Sequence, residues 1–314
     1  MRLFLRAFLG LVLLLVIVAA GGVIWARRSL EGERRFPPAA AEVLALDGQD
    51  AGPTRIWWIN TAHQPMPRAA VLEPDRDPTP NAPYVMSHPS FVLEWADGKL
   101  LLVDTGMTAA GAVSFGRPLE WLGDAQPMEP LADVAQRLGG AKSRVAGVVF
   151  THLHTDHTGG LGVLCEGGPA EIPVFMSTPQ AERPNYTTRP GLREVHAATC
   201  ARVTPIGDSG LLALPGFPGV AVVPAAGHTP GSQVVLAKVG DTRYAFAGDL
   251  ANALDGITHD VPKPWLYSLL VVPEDTAWLA GQRRWLRELA QQGVVVLPAH
   301  DEGAIAASGV PVWP

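Results

Sequence analysis

The chain has 314 residues and a mass of 33.3 kDa, with 24 basic and 30 acidic side chains and a formal charge of −6. A hydrophobic fraction of 47% against 17% charged excludes a disordered chain and supplies a full core. The acidic balance, with no basic run, argues against nucleic acid as a partner, and two cysteines are too few for a cysteine-rich metal finger or a disulfide scaffold.

Arg2 and Arg6 precede an uncharged run from Ala7 to Trp25, closed by Arg27 and Arg28. As a helix the run covers roughly 28 Å, close to the ~30 Å hydrocarbon core of a bilayer. Residues 1–28 therefore read as a membrane anchor. The small residues Val18-Ala19-Ala20 also fit a cleavable signal segment, with secretion as the result. Arg2 and Arg6 favour a cytoplasmic N-terminus, although Arg27, Arg28, Arg34 and Arg35 lie on the other flank. The remainder is then expected to be periplasmic or otherwise extracytoplasmic. Residues 29–53, with Pro37-Pro38 and few large apolar side chains, read as a linker.

One domain is expected over 54–314. Strand-like runs lie at 55–60, 91–95 and 100–103, and the Pro- and Asp-rich interval 62–89 reads as a long loop. Helical spacing covers 130–138, with Gly139 as its stop. Buried strands are predicted at 145–150, 174–176, 219–223, 233–238, 243–247 and 294–297. The clearest helix is 277–292, where Trp278, Trp285 and Leu289 share one stripe and Gly293 ends it. This order predicts an α/β fold with two sheets and helices outside them.

The run 145–150 feeds directly into Thr151-His152-Leu153-His154-Thr155-Asp156-His157-Thr158-Gly159-Gly160. Residues two apart on an extended segment project to one side, so His152 and His154 can hold one ion together. Asp156 and His157 can reach a neighbouring ion, and the glycine pair frees the loop to curl around both. With nine histidines in 314 residues, a chance His-x-His-x-Asp-His match is about one in a million per starting position. His228 in Gly227-His228-Thr229-Pro230, Asp249 in Ala247-Gly248-Asp249 and His300 in Ala299-His300-Asp301 stand at the ends of predicted strands and complete the set. Imidazoles and carboxylates without thiolate suit Zn²⁺ first, then Fe, Mn or Co.

These residues, with Asp104 in Leu102-Val103-Asp104-Thr105-Gly106, give the chain a resemblance over about 54–301 to the metallo-β-lactamase-fold hydrolases. The resemblance implies a four-layer αββα sandwich with two divalent ions at one edge between the sheets. It implies that His152, His154 and His228 hold the first ion, that Asp156, His157 and His300 hold the second, and that Asp249 bridges them. Asp104 would orient a ligand without binding metal. Hydroxide generated at the ions would attack a carbonyl or phosphorus centre, with Asp156 shuttling the proton to the leaving group.

Departures narrow the substrate. Class B β-lactamases do not bridge their ions with an aspartate, as Asp249 would here. Segments 87–94 and 227–233 look most like the acyl-homoserine lactonase group, which points to a lactone or other carboxylic ester as the small-molecule substrate. That group commonly has a tyrosine three residues after the bridging aspartate, where this chain has Asn252; Tyr186 or Tyr267 are the candidates to replace it in space. A phosphodiesterase acting on lipid or nucleotide, and a non-catalytic metal-binding protein, are the alternatives.

His63, His88, His196 and His259 read as loop or hydrogen-bonding histidines, because the two ion sites are already filled. Trp57-Trp58 is expected to alternate between core and surface. Trp121, Trp265 and Leu269 either line a hydrophobic cleft or pack in the core. Cys165 and Cys200 form either a disulfide or two buried thiols.

Overall fold

The computed structural model describes residues 2–31, 33–46, 51–122 and 124–314. Helix α1 (Arg2–Glu31) carries the N-terminal apolar run, and a short α2 (Ala40–Leu44) follows. Residues 32 and 47–50 of the expected linker lie outside the described residues. Its described part is packed onto the domain. Val43 and Ala40 are buried in a core with Trp285 and Leu286, and the Trp285 indole donates to the Pro38 carbonyl at 3.0 Å.

Twelve strands follow among the described residues: β1 (Arg55–Pro65), β2 (Val85–Glu94), β3 (Leu100–Val103), β4 (Glu129–Pro130), β5 (Val145–Val149), β6 (Ile172–Ser177), β7 (Ala201–Ile206), β8 (Leu212–Ala213), β9 (Val220–Pro224), β10 (Gln233–Val239), β11 (Thr242–Gly248) and β12 (Val295–Pro298). The first sheet has the order β4-β1-β2-β3-β5-β6-β7 and the second β12-β11-β10-β9-β8. Both ends of the expected 62–89 loop are strand. The antiparallel register of β1 on β2 runs from Arg55↔Glu94 to Pro65↔Val85, and it shifts between Asn60 and His63. Pro89, opposite Asn60 at that shift, has no amide hydrogen to give to a regular ladder.

Alternation along each strand builds three cores, which makes four layers. Leu101, Val103, Phe91, Val149, Val235 and Phe246 meet between the sheets. Their neighbours Leu100, Leu102, Val92 and Val148 face the opposite way. There they cover α4 (Val134–Leu138), α6 (Leu161–Cys165) and α8 (Arg189–Ala197), which supply Leu138, Leu164 and Val195. On the second sheet, Val223, Val234 and Leu236 pack against Leu279 and Leu286 of α10 (Thr276–Gln291) and Ile257 of α9 (Leu254–Thr258). The mixed α/β architecture with an N-terminal apolar helix is the one predicted. Trp58 enters the inter-sheet core, while Trp57 is half-buried on the other face and packs edge-on to Trp313.

Some elements differ from expectation for local reasons. The predicted helix 130–138 begins only at Val134, because the Asp133 carboxylate accepts from the Gln136 amide and caps it there. Pro130 instead ends β4. Helix α3 (Ala109–Leu122) was not predicted; Gly111, Gly116 and Pro118 interrupt its apolar spacing. Cys165 and Cys200 are joined as a disulfide across 35 residues.

Candidate metal centre

The HxHxDH motif changes backbone conformation midway, and that change sorts its side chains. After β5 the chain stays extended through His154 (φ −75°, ψ 152°) and then enters α5 (Thr155–Thr158). His152 and His154 thus project from extended chain, while Asp156 and His157 project from a helical turn. Gly159 and Gly160 have ordinary helical φ values of −64° and −83°, which any residue can adopt. They supply space: a Cβ on Gly160 would sit 2.2 Å from the Thr105 carbonyl oxygen. The Thr105 amide in turn donates to the His157 carbonyl at 2.8 Å, fastening α5 to the end of β3. His228, Asp249 and His300 follow β9, β11 and β12 on the second sheet. All seven predicted residues, together with Asp104, converge at one edge between the sheets and are at most 8% exposed.

The hydrogen bonds around each imidazole decide which ring nitrogen is left bare. His157 Nδ1 donates to Asp104 Oδ2 at 2.8 Å, His300 Nδ1 to the Ser87 carbonyl at 2.8 Å, and His228 Nδ1 to Glu274 Oε1 at 2.6 Å. Thr151 Oγ1 donates to Asp104 Oδ2 at 2.7 Å, so it accepts from His152 Nδ1 at 3.2 Å. In these four rings Nε2 faces the cluster. His154 is reversed. Thr187 Oγ1 donates to Asn185 Oδ1 at 2.7 Å and accepts from His154 Nε2 at 3.1 Å, leaving Nδ1 inward.

The inward nitrogens surround two carboxylates. Asp249 Oδ2 lies 3.0 Å from His300 Nε2, 3.4 Å from His228 Nε2 and 3.8 Å from His152 Nε2, and Asp249 Oδ1 lies 3.3 Å from His157 Nε2. Asp156 Oδ2 lies 3.4 Å from His300 Nε2 and 3.6 Å from His157 Nε2. Three overlapping groups could hold an ion: His152, His154, His228 and Asp249; His157, Asp249 and His300; and His88, Asp156 and His300.

The set fits a cation on the structure's own terms. His152 Nε2 and His154 Nδ1 face each other at 3.0 Å, both as lone pairs by the bonding just described. Burial, aided by neighbouring histidines, pushes His152 well below its ordinary value and His154 down to about 3, so protonation does not relieve the contact at neutral pH, whereas a bound cation does. His157 Nε2, His228 Nε2, Asp156 Oδ1 and Asp249 Oδ1 are buried without a hydrogen-bond partner. Asp104 holds the arrangement from behind. It adopts φ 59°, a left-handed conformation uncommon outside glycine. Its Oδ1 accepts from the Thr151 amide at 2.8 Å. Gly248 (φ +52°) makes the turn into Asp249, where a Cβ would lie 2.8 Å from the Thr151 side chain.

Three further residues in contact with the cluster have no local signal of their own in the sequence. His88, read there as a loop or hydrogen-bonding histidine, is fully buried on β2, with Nδ1 3.1 Å from Asp156 Oδ2. Burial pushes it down to about 4. Glu274 is buried behind His228, where it also accepts from Lys263 Nζ at 2.8 Å and Ser268 Oγ at 2.6 Å. Tyr84 donates to the carbonyl oxygens of His300 and Asn252, fixing the chain on both sides of the cluster. His63 pairs with Glu129 at 2.8 Å and His259 with Asp255 at 3.7 Å, so neither belongs to the site.

A cavity of about 320 Å³ opens onto His154, Asp156, Asp249 and His300. Met66, Val71, Met86, Phe115 and Leu119 make its walls apolar, and Asn252 and Tyr267 add polar groups. Of the two tyrosines considered, Tyr267 reaches the cavity while Tyr186 is outside it and 45% exposed. Trp121 and Trp265 are largely exposed and Leu269 half-buried; none lines the cavity.

Residues 83–300 match the sequence model of a family described as the metallo-beta-lactamase superfamily. A comparison with curated proteins gives no match. Among solved structures, the chain is similar to an N-acyl homoserine lactone hydrolase with N-hexanoyl-L-homoserine bound at its catalytic metal centre. That likeness has 16% identity and a TM-score of 0.59, over 82% of this chain and 96% of the other. It is also similar to AidC, a dizinc quorum-quenching lactonase, at 15% identity and a TM-score of 0.55 over 78% and 86%. A probable metal-dependent hydrolase from Staphylococcus aureus matches at 15% identity and a TM-score of 0.56 over 80% and 91%. At these identities the structures establish the shared fold.

Proposed function

The chain belongs to the metallo-β-lactamase superfamily and is a metal-dependent hydrolase, and from that premise we propose that it hydrolyses a lactone or other carboxylic ester at a dinuclear centre, with zinc as the native metal. The observation that carries the reading is the set of five imidazoles, each with one nitrogen held from behind and the other turned inward, around two buried carboxylates. His152, His154 and His228 would hold one ion and Asp156, His157 and His300 the other. Asp249, which lies within reach of His152, His154 and His228 and also of His157 and His300, would be shared.

Bound there, two divalent ions supply Lewis-acid polarisation of a carbonyl oxygen and a hydroxide nucleophile at neutral pH. The residues around them do the rest. The apolar wall formed by Met66, Met86, Phe115 and Leu119 takes the acyl part of the substrate and keeps water away from the reacting carbonyl. Tyr267 lines the same cavity, and its hydroxyl would donate to the carbonyl oxygen. Burial pushes its phenol well above 10, so it stays protonated. Asp156, which lines the cavity with its Oδ2 held by His88 Nδ1 at 3.1 Å, would carry a proton to the leaving alkoxide. Helix α1, uncharged from Ala7 to Trp25 and with none of its membrane-length window buried, would anchor the domain on the extracytoplasmic side.

The test is metal content and turnover of the purified full-length chain on panels of lactones, aryl esters and bis-aryl phosphodiesters. Two equivalents of zinc with lactone or ester turnover is the expected result. Cleavage of the phosphodiesters alone would move the assignment to phosphorus chemistry, and bound metal without turnover on any panel would end the enzymatic reading. Tyr267→Phe should lower kcat by about 100- to 1,000-fold while leaving metal content at the parent value. An unchanged kcat would remove Tyr267 from the reaction.

A further inference from the structure

Resting on the ester or lactone reading of the site, we propose that the mouth of the cavity lies in the lipid surface from which α1 emerges, so that the enzyme takes acyl substrates partitioned into the bilayer. Helix α1 leaves Phe4 to Ile24 largely exposed and becomes buried only at Ala26 and Leu30. Trp25, Arg27 and Arg28 stand at this transition, the residue types that mark a lipid–water boundary.

The structure fixes this boundary against the mouth by two contacts. On one side Glu33 accepts from the Gly231 amide at 2.8 Å and lies 3.8 Å from Arg183, and Trp25 and Ser29 share a cleft with Arg183, Pro184 and Arg189. On the other side Arg34 pairs with Asp275 at 2.6 Å, and Phe36 packs edge-on to Trp278. The same two stretches of chain line the cavity. Thr187 and Pro190 come from the first, and Tyr267, Val271 and Val272 run up to the second. The chain just past α1, Glu33 to Phe36, is therefore held between the two segments that form the cavity wall.

Those wall segments also turn large apolar side chains outward. Trp265 is 62% exposed and Leu270 58%, with Leu266, Val271 and Tyr186 about half exposed. Trp121, 78% exposed, stands two residues beyond Leu119 of the cavity wall. Large apolar side chains turned outward on the segments that wall one cavity mark a surface that is covered when the protein works. The exposed apolar helix α1, whose C-terminal end leads into contacts beside these same segments, identifies the cover as lipid. Each methylene added to an acyl chain raises its partition into that lipid roughly fourfold, and from there it can enter the apolar cavity without crossing water.

The experiment uses the full-length chain carrying Trp25→Phe in phosphatidylcholine vesicles with brominated acyl chains. Tryptophan fluorescence should be quenched in this background, and W121F/W265F added to it should abolish most of the quenching. In the same vesicles, Leu266→Asp/Leu270→Asp should lower the ratio of kcat/KM for a dodecanoyl over a butanoyl ester at least tenfold. Quenching indifferent to W121F/W265F, or an unchanged chain-length ratio, overturns the proposal. So does a dimer of the full chain in detergent that Leu266→Asp/Leu270→Asp dissociates, since the patch would then belong to a second copy. Absence of any ester or lactone turnover would remove the assigned reaction, while the quenching would still decide whether the mouth meets lipid.

Discussion

Glu274 shows how a residue outside the cluster sets its geometry. Burial pushes its carboxyl up, but Lys263 and His228 beside it outweigh that and hold it at about 2, so it is ionised at every working pH. Its charge keeps the proton of His228 on Nδ1 and leaves Nε2 for the metal. Glu274→Gln removes the counter-charge from Lys263 as well as the anchor for the ring. Metal affinity, measured by chelator competition, should fall about 10- to 100-fold, with Glu274→Asp in between; affinity within twofold of the parent would take Glu274 out of the site. A second expectation concerns protons. Burial pushes His157 and His300 down, yet the carboxylates around them win: Asp156, Asp104 and Asp249 raise His157, and Asp249 and Asp156 raise His300. A raised value means that the metal-free rings keep a proton to higher pH, and an entering ion must displace it. Affinity should therefore weaken as pH falls from 8 to 6, about tenfold per unit for each proton displaced. A flat profile would show that both rings are already neutral. The HxHxDH motif was legible because its composition is improbable by chance, and His228, Asp249 and His300 because they complete it. His88, Glu274 and Lys263 were not legible, since each is a lone residue whose partner is 11 to 68 positions away.

At the scale of elements, periodicity located most of what packs on both faces or along one stripe. Strands β3, β5, β10 and β11 and helix α10 fall within a residue or two of their predicted bounds. What it missed has a physical cause in each case. In α3, Gly116 breaks the stripe because a Cβ there would lie 2.5 Å from Met128 Cβ; close approach to β4 took precedence over helix propensity. Strand β7 is an edge strand, and Pro205 within it costs no ladder bond on its open side. The disulfide was undecidable from spacing and is settled by where α6 ends. It ties Cys165 at the end of that helix to Cys200, next to β7, and the Cys200 amide points at Cys165 Sγ at 3.2 Å. Closing 35 residues should contribute about 2–4 kcal/mol. Cys165→Ser/Cys200→Ser is expected to lower the urea unfolding free energy by that amount while metal content stays unchanged, because neither cysteine touches the cluster. A loss of bound metal would show that the link also holds α5 in place.

For the whole molecule, the decisive relation is between the N-terminal segment and the second sheet's helical layer. Composition suggested a passive tether over 29–53, yet its contacts are those of an integral part of the fold. Val43 is buried with Trp285 and Leu286, the Trp285 indole donates to Pro38, and Glu33 accepts from Gly231 in the turn that also carries His228. Two truncations separate anchor from fold. Removal of residues 1–28 takes away the exposed apolar helix and keeps Leu30, Glu33, Pro38 and Val43. Removal of residues 1–46 also strips the side of α10 that packs on α2. The larger cut loses a buried valine, about 1.5–3 kcal/mol, and two hydrogen bonds of about 0.5–1.5 kcal/mol each. Urea unfolding of the two proteins should therefore differ by about 2.5–6 kcal/mol, with the shorter protein also binding metal more weakly, because Gly231 loses the carboxylate that fixes its turn. Equal unfolding free energies would mean that residues 29–46 only span the distance between membrane and domain.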